Sequence, residues 1–244
     1  MTNPLRIQQL MKLVDLTRLN DQDTVEDMQQ WLQQDLLHAT VLPAAVCVYP
    51  AYLPVVKPLA QQLAGQVKLA TVVNFPGGDL PLELVLQQIS DARAAGADEI
   101  DCVLPYGILL SGQVDPVRHF LAAVREATTG LCLKIIIESG VLGTCQQIVK
   151  ATELVVESGA DFVKSSTGKV IVGMTEEAAR VMLTVIAAAQ RPVGFKASGG
   201  VRSVEFALTL VNLFEELTGE VATAERMRLG ASALLKDLSQ QLDY

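Results

Sequence analysis

Three ionisable residues sit in or at the end of short apolar runs: Asp101 in Glu-Ile-Asp-Cys-Val, Lys164 closing Asp-Phe-Val-Lys, and Lys196 closing Val-Gly-Phe-Lys. Lysine is rarely buried without a partner. A single lysine at the end of an apolar strand usually lays its stem on the apolar surface and keeps its ammonium in water. Two of them on neighbouring strands, each followed by glycine and hydroxyl residues, point instead to a shared pocket in which one lysine is neutral. A neutral lysine is a nucleophile towards a carbonyl carbon. With a pKa of about 10.4, an ordinary lysine is neutral in only about one molecule in 2,500 at pH 7, and lowering that pKa by about 3 represents about 4 kcal/mol. A nearby cation and an apolar wall both act in that direction, and strands about 4.8 Å apart bring the two lysines within reach. Spacing does not say which lysine is the nucleophile and which the perturbing cation. Asp101 also has two readings: a carboxylate that moves a proton directly or through water, or the partner in a structural ion pair. Lys134 and Glu138, in the run 131–138, form a weaker second set.

A second group of residues could hold an anion. Ser165-Ser166-Thr167-Gly168-Lys169 follows Lys164, Ser198-Gly199-Gly200-Val201-Arg202 follows Lys196, and Gly230-Ala231-Ser232 closes a later apolar run. Glycine lets backbone N–H groups approach a phosphate, and a following helix adds its dipole. Each turn alone is weak evidence. Three at successive strand ends predict a phosphate site.

The elements that must position these residues are legible in the hydrophobic pattern. Eight short runs rich in Val and Ile (14–17, 45–49, 69–75, 99–104, 131–138, 161–164, 193–197 and 227–230) alternate with segments of helical period. Their near-continuous hydrophobicity fits parallel strands covered on both faces. Leu82 to Ala95 carries apolar residues near a 3.6-residue period. Asp115-Pro116 predicts an N-cap and first turn, Thr144 with Gln147 a capping box, and Glu176 to Ala189 and Ser203 to Leu217 two further helices. Gly-Ala-Asp recurs at 96–98 and 159–161, with each glycine just past a helix, where a left-handed conformation is needed. Eight strand–helix units in about 250 residues predict a single-domain (β/α)8 TIM barrel across residues 1–244, with its active site at the C-terminal ends of the strands. The alternative is an open doubly wound sheet, which usually shows a Gly-rich turn after its first strand. None occurs here.

The chain of 244 residues carries a net charge of -8, which argues against binding a nucleic-acid backbone. Cys47, Cys102, Cys132 and Cys145 form no C-x-x-C pair and suggest neither zinc nor disulfides. Free thiols fit a reducing, cytoplasmic setting. The N-terminal segment lacks a continuous apolar stretch of the signal-peptide kind, and no run approaches the roughly 18 apolar residues of a membrane span. His38 and His119 are too scattered to form a metal cluster, so no metal and no cofactor is expected.

With these residues in view, GADEIDCVLPY (96–106), GADFVKSSTGK (159–169), VGFKASGGVR (193–202) and LGASALL (229–235) resemble segments of the deoxyribose-phosphate aldolase family. VDLTRLNDQDT (14–24), AAVCVYP (44–50) and LATVVNFPGG (69–78) are similar to it too, in order along nearly the whole chain. The resemblance implies a metal-independent Schiff-base aldolase of deoxyribose catabolism, acting on a phosphosugar and aldehydes. It implies Lys164 as the Schiff-base lysine, Lys196 as the lysine that tunes it, and Asp101 as the proton relay. It also implies phosphate contacts at Thr167, Gly168, Lys169, Gly199, Gly200, Gly230, Ala231 and Ser232, sugar contacts at Asp15 and Thr17, and a pocket thiol at Cys47. A homodimer is the expected assembly. Two departures stand out: Ala233 replaces a second serine, and the tail ending in Tyr244 is short for a residue meant to reach the active site. The competing readings are another lysine-dependent aldolase or a transaldolase on the same fold, and a non-catalytic sugar-phosphate binding protein.

Overall fold

Lys164 and Lys196 are direct neighbours across two strands, and the whole fold is built to put them there. The computed structural model describes residues 3–37, 39, 41–63 and 65–242. Eight parallel strands close into a barrel in sequence order, with β1 pairing β8. They are β1 (Val14–Arg18), β2 (Ala45–Val48), β3 (Lys68–Val73), β4 (Glu99–Val103), β5 (Cys132–Ile136), β6 (Phe162–Lys164), β7 (Gly194–Ser198) and β8 (Met227–Ala231). All eight fall within or within one residue of the predicted runs. The open-sheet alternative is excluded by the β1–β8 ladder.

Helices cover the outside. A first helix, α1 (Pro4–Lys12), precedes β1. The crossovers are α2 (Val25–Asp35), α3 (Leu53–Gln62), α4 (Leu82–Ala95), α6 (Val114–Ala127), α8 (Cys145–Glu157), α9 (Glu176–Ala187) and α10 (Val204–Thr218), with short helices α5 (Tyr106–Leu110) and α7 (Ser139–Leu142) after β4 and β5, and α11 (Leu234–Leu242) follows β8. Their boundaries follow local chemistry. Thr24 and Asp27 form a reciprocal capping box at the start of α2, and Ser203 caps α10, which ends at left-handed Gly219. Gly96 and Gly159 both take positive φ, as the repeated Gly-Ala-Asp requires. Two local expectations change. The N-cap of α6 is Gln113, with Asp115 inside its first turn; Pro116 is still tolerated there because the first turn leaves its N–H groups unpaired. Thr144 accepts from the Gln147 N–H, but its own N–H goes to Leu142 O, so only half of a capping box forms. Among the described residues no helix is long and apolar enough to cross a membrane.

The apolar core between strands and helices is continuous around the barrel. The interior is different and divided. Ala45, Cys47, Ala70 and Val72 of β2 and β3 form a small separate apolar cluster. Opposite them, β4 to β8 bury Glu99, Asp101, Lys134, Lys164, Lys196 and Arg228. A barrel interior is usually filled by branched apolar side chains; here it also holds buried ionic side chains. Phe162 lies beneath these ions, with Lys134 Nζ 6.0 Å and the Arg228 guanidinium carbon 5.5 Å from its ring centre. Gly194 of β7 leaves room for that ring: a Cβ there would lie 2.3 Å from Phe162 Cε1. Gly194→Ala is expected to lower stability by about 1–3 kcal/mol through overpacking, seen as a reduced urea midpoint. An unchanged midpoint would show that the ring can move aside.

Candidate active site

Seven buried ionisable side chains form one connected network. Lys134 pairs with Glu99, with Asp101 at 3.0 Å and with Asp15 at 3.8 Å. Lys196 pairs with Asp15 at 2.5 Å and with Asp101 at 2.7 Å. Arg228 reaches Asp15 at 2.6 Å and Glu99 at 2.9 Å. Lys164 has one carboxylate, Asp101 Oδ2 at 2.7 Å, the same oxygen that Lys196 uses. Four cations therefore face three carboxylates. A buried excess charge is costly, and it disappears if one lysine is neutral. Arginine keeps its charge, and Lys134 and Lys196 each hold two or more carboxylates. Lys164, with half a share of one oxygen, gives up its proton most readily.

The titration directions agree. Burial, aided by the Lys196 cation, pushes the Lys164 pKa below the ordinary lysine value despite Asp101. Lys196 is equally buried, but Asp101 and Asp15 outweigh burial and raise its pKa. The two lysines that spacing leaves equivalent are thus separated by their partners. Burial opposes the charge of Asp101, yet Lys134, Lys164 and Lys196 together hold it well below the usual carboxylate range. Asp15 is held low in the same way by Lys196, Arg228 and Lys134.

Lys164 also differs in access. A cavity of about 490 Å³ opens at the C-terminal ends of the strands, and Lys164 alone of the seven lines it. The cavity walls include Thr17, Thr167, Gly168, Lys169, Gly199, Gly200, Gly230, Ala231 and Ser232, with Ala233 beside them. Nine of the expected contact residues therefore meet in one place. Asp15 and Cys47 do not reach it. Asp15 lies beneath, bound to Lys196 and Arg228. Cys47 is buried in the apolar half, with Sγ 4.0 Å from Asp101 Oδ2, and burial pushes its thiol pKa up. Lys196 and Asp101 lie next to Lys164, behind the cavity wall.

The turns differ in which of their N–H groups are already paired. The Gly168 N–H donates to Ser166 Oγ and the Lys169 N–H to Thr167 Oγ1, both at 3.0 Å. Among the described residues, the N–H groups of Gly199, Gly200 and Ser232 have no protein acceptor. The Lys169 ammonium bonds Asp21 at 3.0 Å. Gly230 serves a second purpose: a Cβ there would lie 2.9 Å from Ser198 Cβ and 3.2 Å from Lys196 Cε. Arg18, Asn20 and Trp31 also line the cavity. Their signal in the sequence is slight, because Trp31 reads as a core residue of α2 and Arg18 is occupied by Asp23 and by the Trp31 ring. Glu99 and Arg228 carry the same charged–apolar alternation as Asp101, at the opposite ends of their strands. Of the histidines, His119 is exposed, and His38, like Tyr244, lies outside the described residues. Among the described residues no group of three or more His, Cys, Asp or Glu is arranged to hold a metal.

A closed βα barrel with a buried ion network under a cavity-facing lysine is a frame in which lysine-dependent carbonyl chemistry can take place. Residues 9–240 match the DeoC/LacD family aldolases, and the chain belongs to that family. It is similar to the solved structure of QR15, an aldolase, at 26% identity and a TM-score of 0.79, over 95% of this chain and 96% of that one. A deoxyribose phosphate aldolase from Aeropyrum pernix, described as a tetramer, matches at 26% identity and a TM-score of 0.76, covering 97% and 92%. A candidate deoxyribose-phosphate aldolase from Coccidioides immitis matches at 28% identity and a TM-score of 0.81, covering 95% and 86%.

Replacing Lys196 with Met removes a cation that lowers the Lys164 pKa. The Lys164 pKa should rise, and the rate of its modification by an amine-reactive reagent, followed by peptide mass spectrometry, should shift to higher pH. No shift would mean that burial alone sets the Lys164 pKa.

Proposed function

We propose that this aldolase works through a Schiff base on Lys164 and reversibly cleaves 2-deoxy-D-ribose 5-phosphate to D-glyceraldehyde 3-phosphate and acetaldehyde. One observation carries the reading: of the buried cations, the one that opens on the cavity is the one with the weakest carboxylate support. The unpaired N–H groups of the Gly199–Gly200 and Ser232 turns, flanked by Lys169 and Arg202 in the cavity wall, support a phosphate on the substrate.

The Lys164 amine adds to C1 of the open-chain aldehyde, and the carbinolamine loses water to give an iminium ion. Removal of the C3 hydroxyl proton lets the C2–C3 electron pair flow into that iminium. C3 leaves as the aldehyde of glyceraldehyde 3-phosphate, while C1 and C2 remain as an enamine. Protonation at C2 and hydrolysis release acetaldehyde and restore the amine. Asp101, with Lys196 and a water, relays the proton from the C3 oxygen to C2. Its Oδ2 accepts from both lysines at 2.7 Å, and its lowered pKa suits passing a proton on rather than storing one. Asp15 and Thr17 belong to the proposal as supports near the sugar, Asp15 through Lys196. Ala233 supplies no hydroxyl, which weakens phosphate affinity but leaves the chemistry intact. The proposal includes a cytoplasmic role in deoxyribose catabolism and a homodimer in solution.

Borohydride added with substrate should leave a covalent adduct on the Lys164 peptide and none after Lys164→Leu; an adduct confined to Lys196 would reverse the assignment. Acetaldehyde should be released from deoxyribose phosphate in preference to cleavage of ketose phosphates, which separates this activity from other lysine aldolases and transaldolases. EDTA should leave the rate unchanged, and a clear loss would point to metal chemistry.

A further inference from the structure

Glu138 is a buried carboxylate outside the seven-member network, and it stands in a conformation that its residue type disfavours. It follows β5 with φ 54° and ψ 59°, the left-handed region that is unfavourable for a non-glycine residue and persists only where the surroundings impose it. The backbone on either side explains the imposition. Ile137 N–H donates to Lys164 O at 3.0 Å and Ser139 N–H to Ser165 O at 2.8 Å. The chain therefore keeps its pairing with the β6 side before and after Glu138.

Both carboxylate oxygens serve one residue of the turn after Lys164. Oε1 and Oε2 each lie 3.2 Å from the Thr167 N–H, and Oε2 accepts from the Thr167 hydroxyl at 2.5 Å. Thr167 Oγ1 in turn accepts the Lys169 N–H. The same segment is pressed between Gly140 on one side and Gly199 on the other. A Cβ on Gly140 would lie 1.8 Å from Val172 O, and one on Gly173 would lie 2.2 Å from Gly199 O. Gly168 stands against Gly199, since a Cβ on it would be 3.7 Å from Gly199 Cα. The turn after β6 is thus one wall of the cavity, braced against the Gly199–Gly200 turn and anchored by Glu138.

We infer that Glu138 is a positioning residue for phosphate binding. Through Thr167 it fixes the Gly168–Lys169 wall against the Gly199–Gly200 turn, while making no contribution to the imine chemistry at Lys164. The inference rests on the proposed substrate only for its phosphate. Losing hydrogen bonds to a charged group predicts a phosphate-specific change of about tenfold or more.

The test compares Glu138→Ala and Glu138→Gln with the unaltered protein on 2-deoxyribose 5-phosphate and on unphosphorylated 2-deoxyribose. In Glu138→Ala the KM for the phosphorylated sugar should rise by about tenfold or more. Its KM for the unphosphorylated sugar, its kcat on both, and borohydride trapping with acetaldehyde should change little. Glu138→Gln keeps one acceptor and should recover part of the loss. An unchanged ratio of the two KM values, or an equal fall of kcat on both sugars, would overturn the inference. If Glu138→Ala does not fold, Glu138→Gln decides by the same ratio. If the unaltered protein does not cleave deoxyribose phosphate, the functional proposal fails separately. Titration with inorganic phosphate then decides for Glu138: weaker binding in the variants supports it, and equal binding overturns it.

Discussion

Asp101 Oδ2, shared between Lys164 and Lys196, is the contact on which the rest of the site depends. Buried ion pairs are poor contributors to stability, because desolvation consumes much of the Coulombic gain, but removing one member leaves an uncompensated charge at a cost of about 3–5 kcal/mol. Seven groups tied together in this way fix one another's positions. They also fix one another's protonation, since three carboxylates cannot neutralise four cations. The surplus falls on the group with the fewest partners.

The fold supplies what such a network needs. Closure of the barrel removes every strand edge and holds neighbouring strands in a fixed register, so that Lys164 faces Lys196 and Lys196 faces Arg228 across the ladder. The continuous outer core supplies the apolar burial, which frees the interior for charges. Glycines make the space: Gly194 admits the Phe162 ring below, and Gly230 admits the Lys196 stem above. A small apolar cluster on β2 and β3 completes the interior, and burial is the largest cause that lowers the Lys164 pKa.

The barrel was legible in the sequence because strands covered on both faces read as unbroken apolar runs. Asp101, Lys164 and Lys196 were legible because a charge inside such a run has few innocent explanations. Lys164 could not be told from Lys196, since strand spacing is symmetric and the difference lies in partners that come from β1 and β4. Asp15 is a pocket residue only by what the family resemblance implies, and its side chain belongs to the ion layer beneath. Glu99 and Arg228 show the same alternation but stand at the N-terminal ends of their strands, where catalysis is not expected. The left-handed turn at Glu138 leaves no trace in residue type, because glycine or asparagine would normally mark it.

Arg228 gives this network a polarity beyond its charges. It is the member nearest the N-terminal end of the barrel, paired with Asp15 and Glu99 and bonded through Nε to Ala224 O. A guanidinium supplies positive charge but does not release a proton. At that end the network closes on a fixed charge, with the Phe162 ring against it, whereas at the other end it closes on Lys164, which has a single carboxylate partner and faces the cavity.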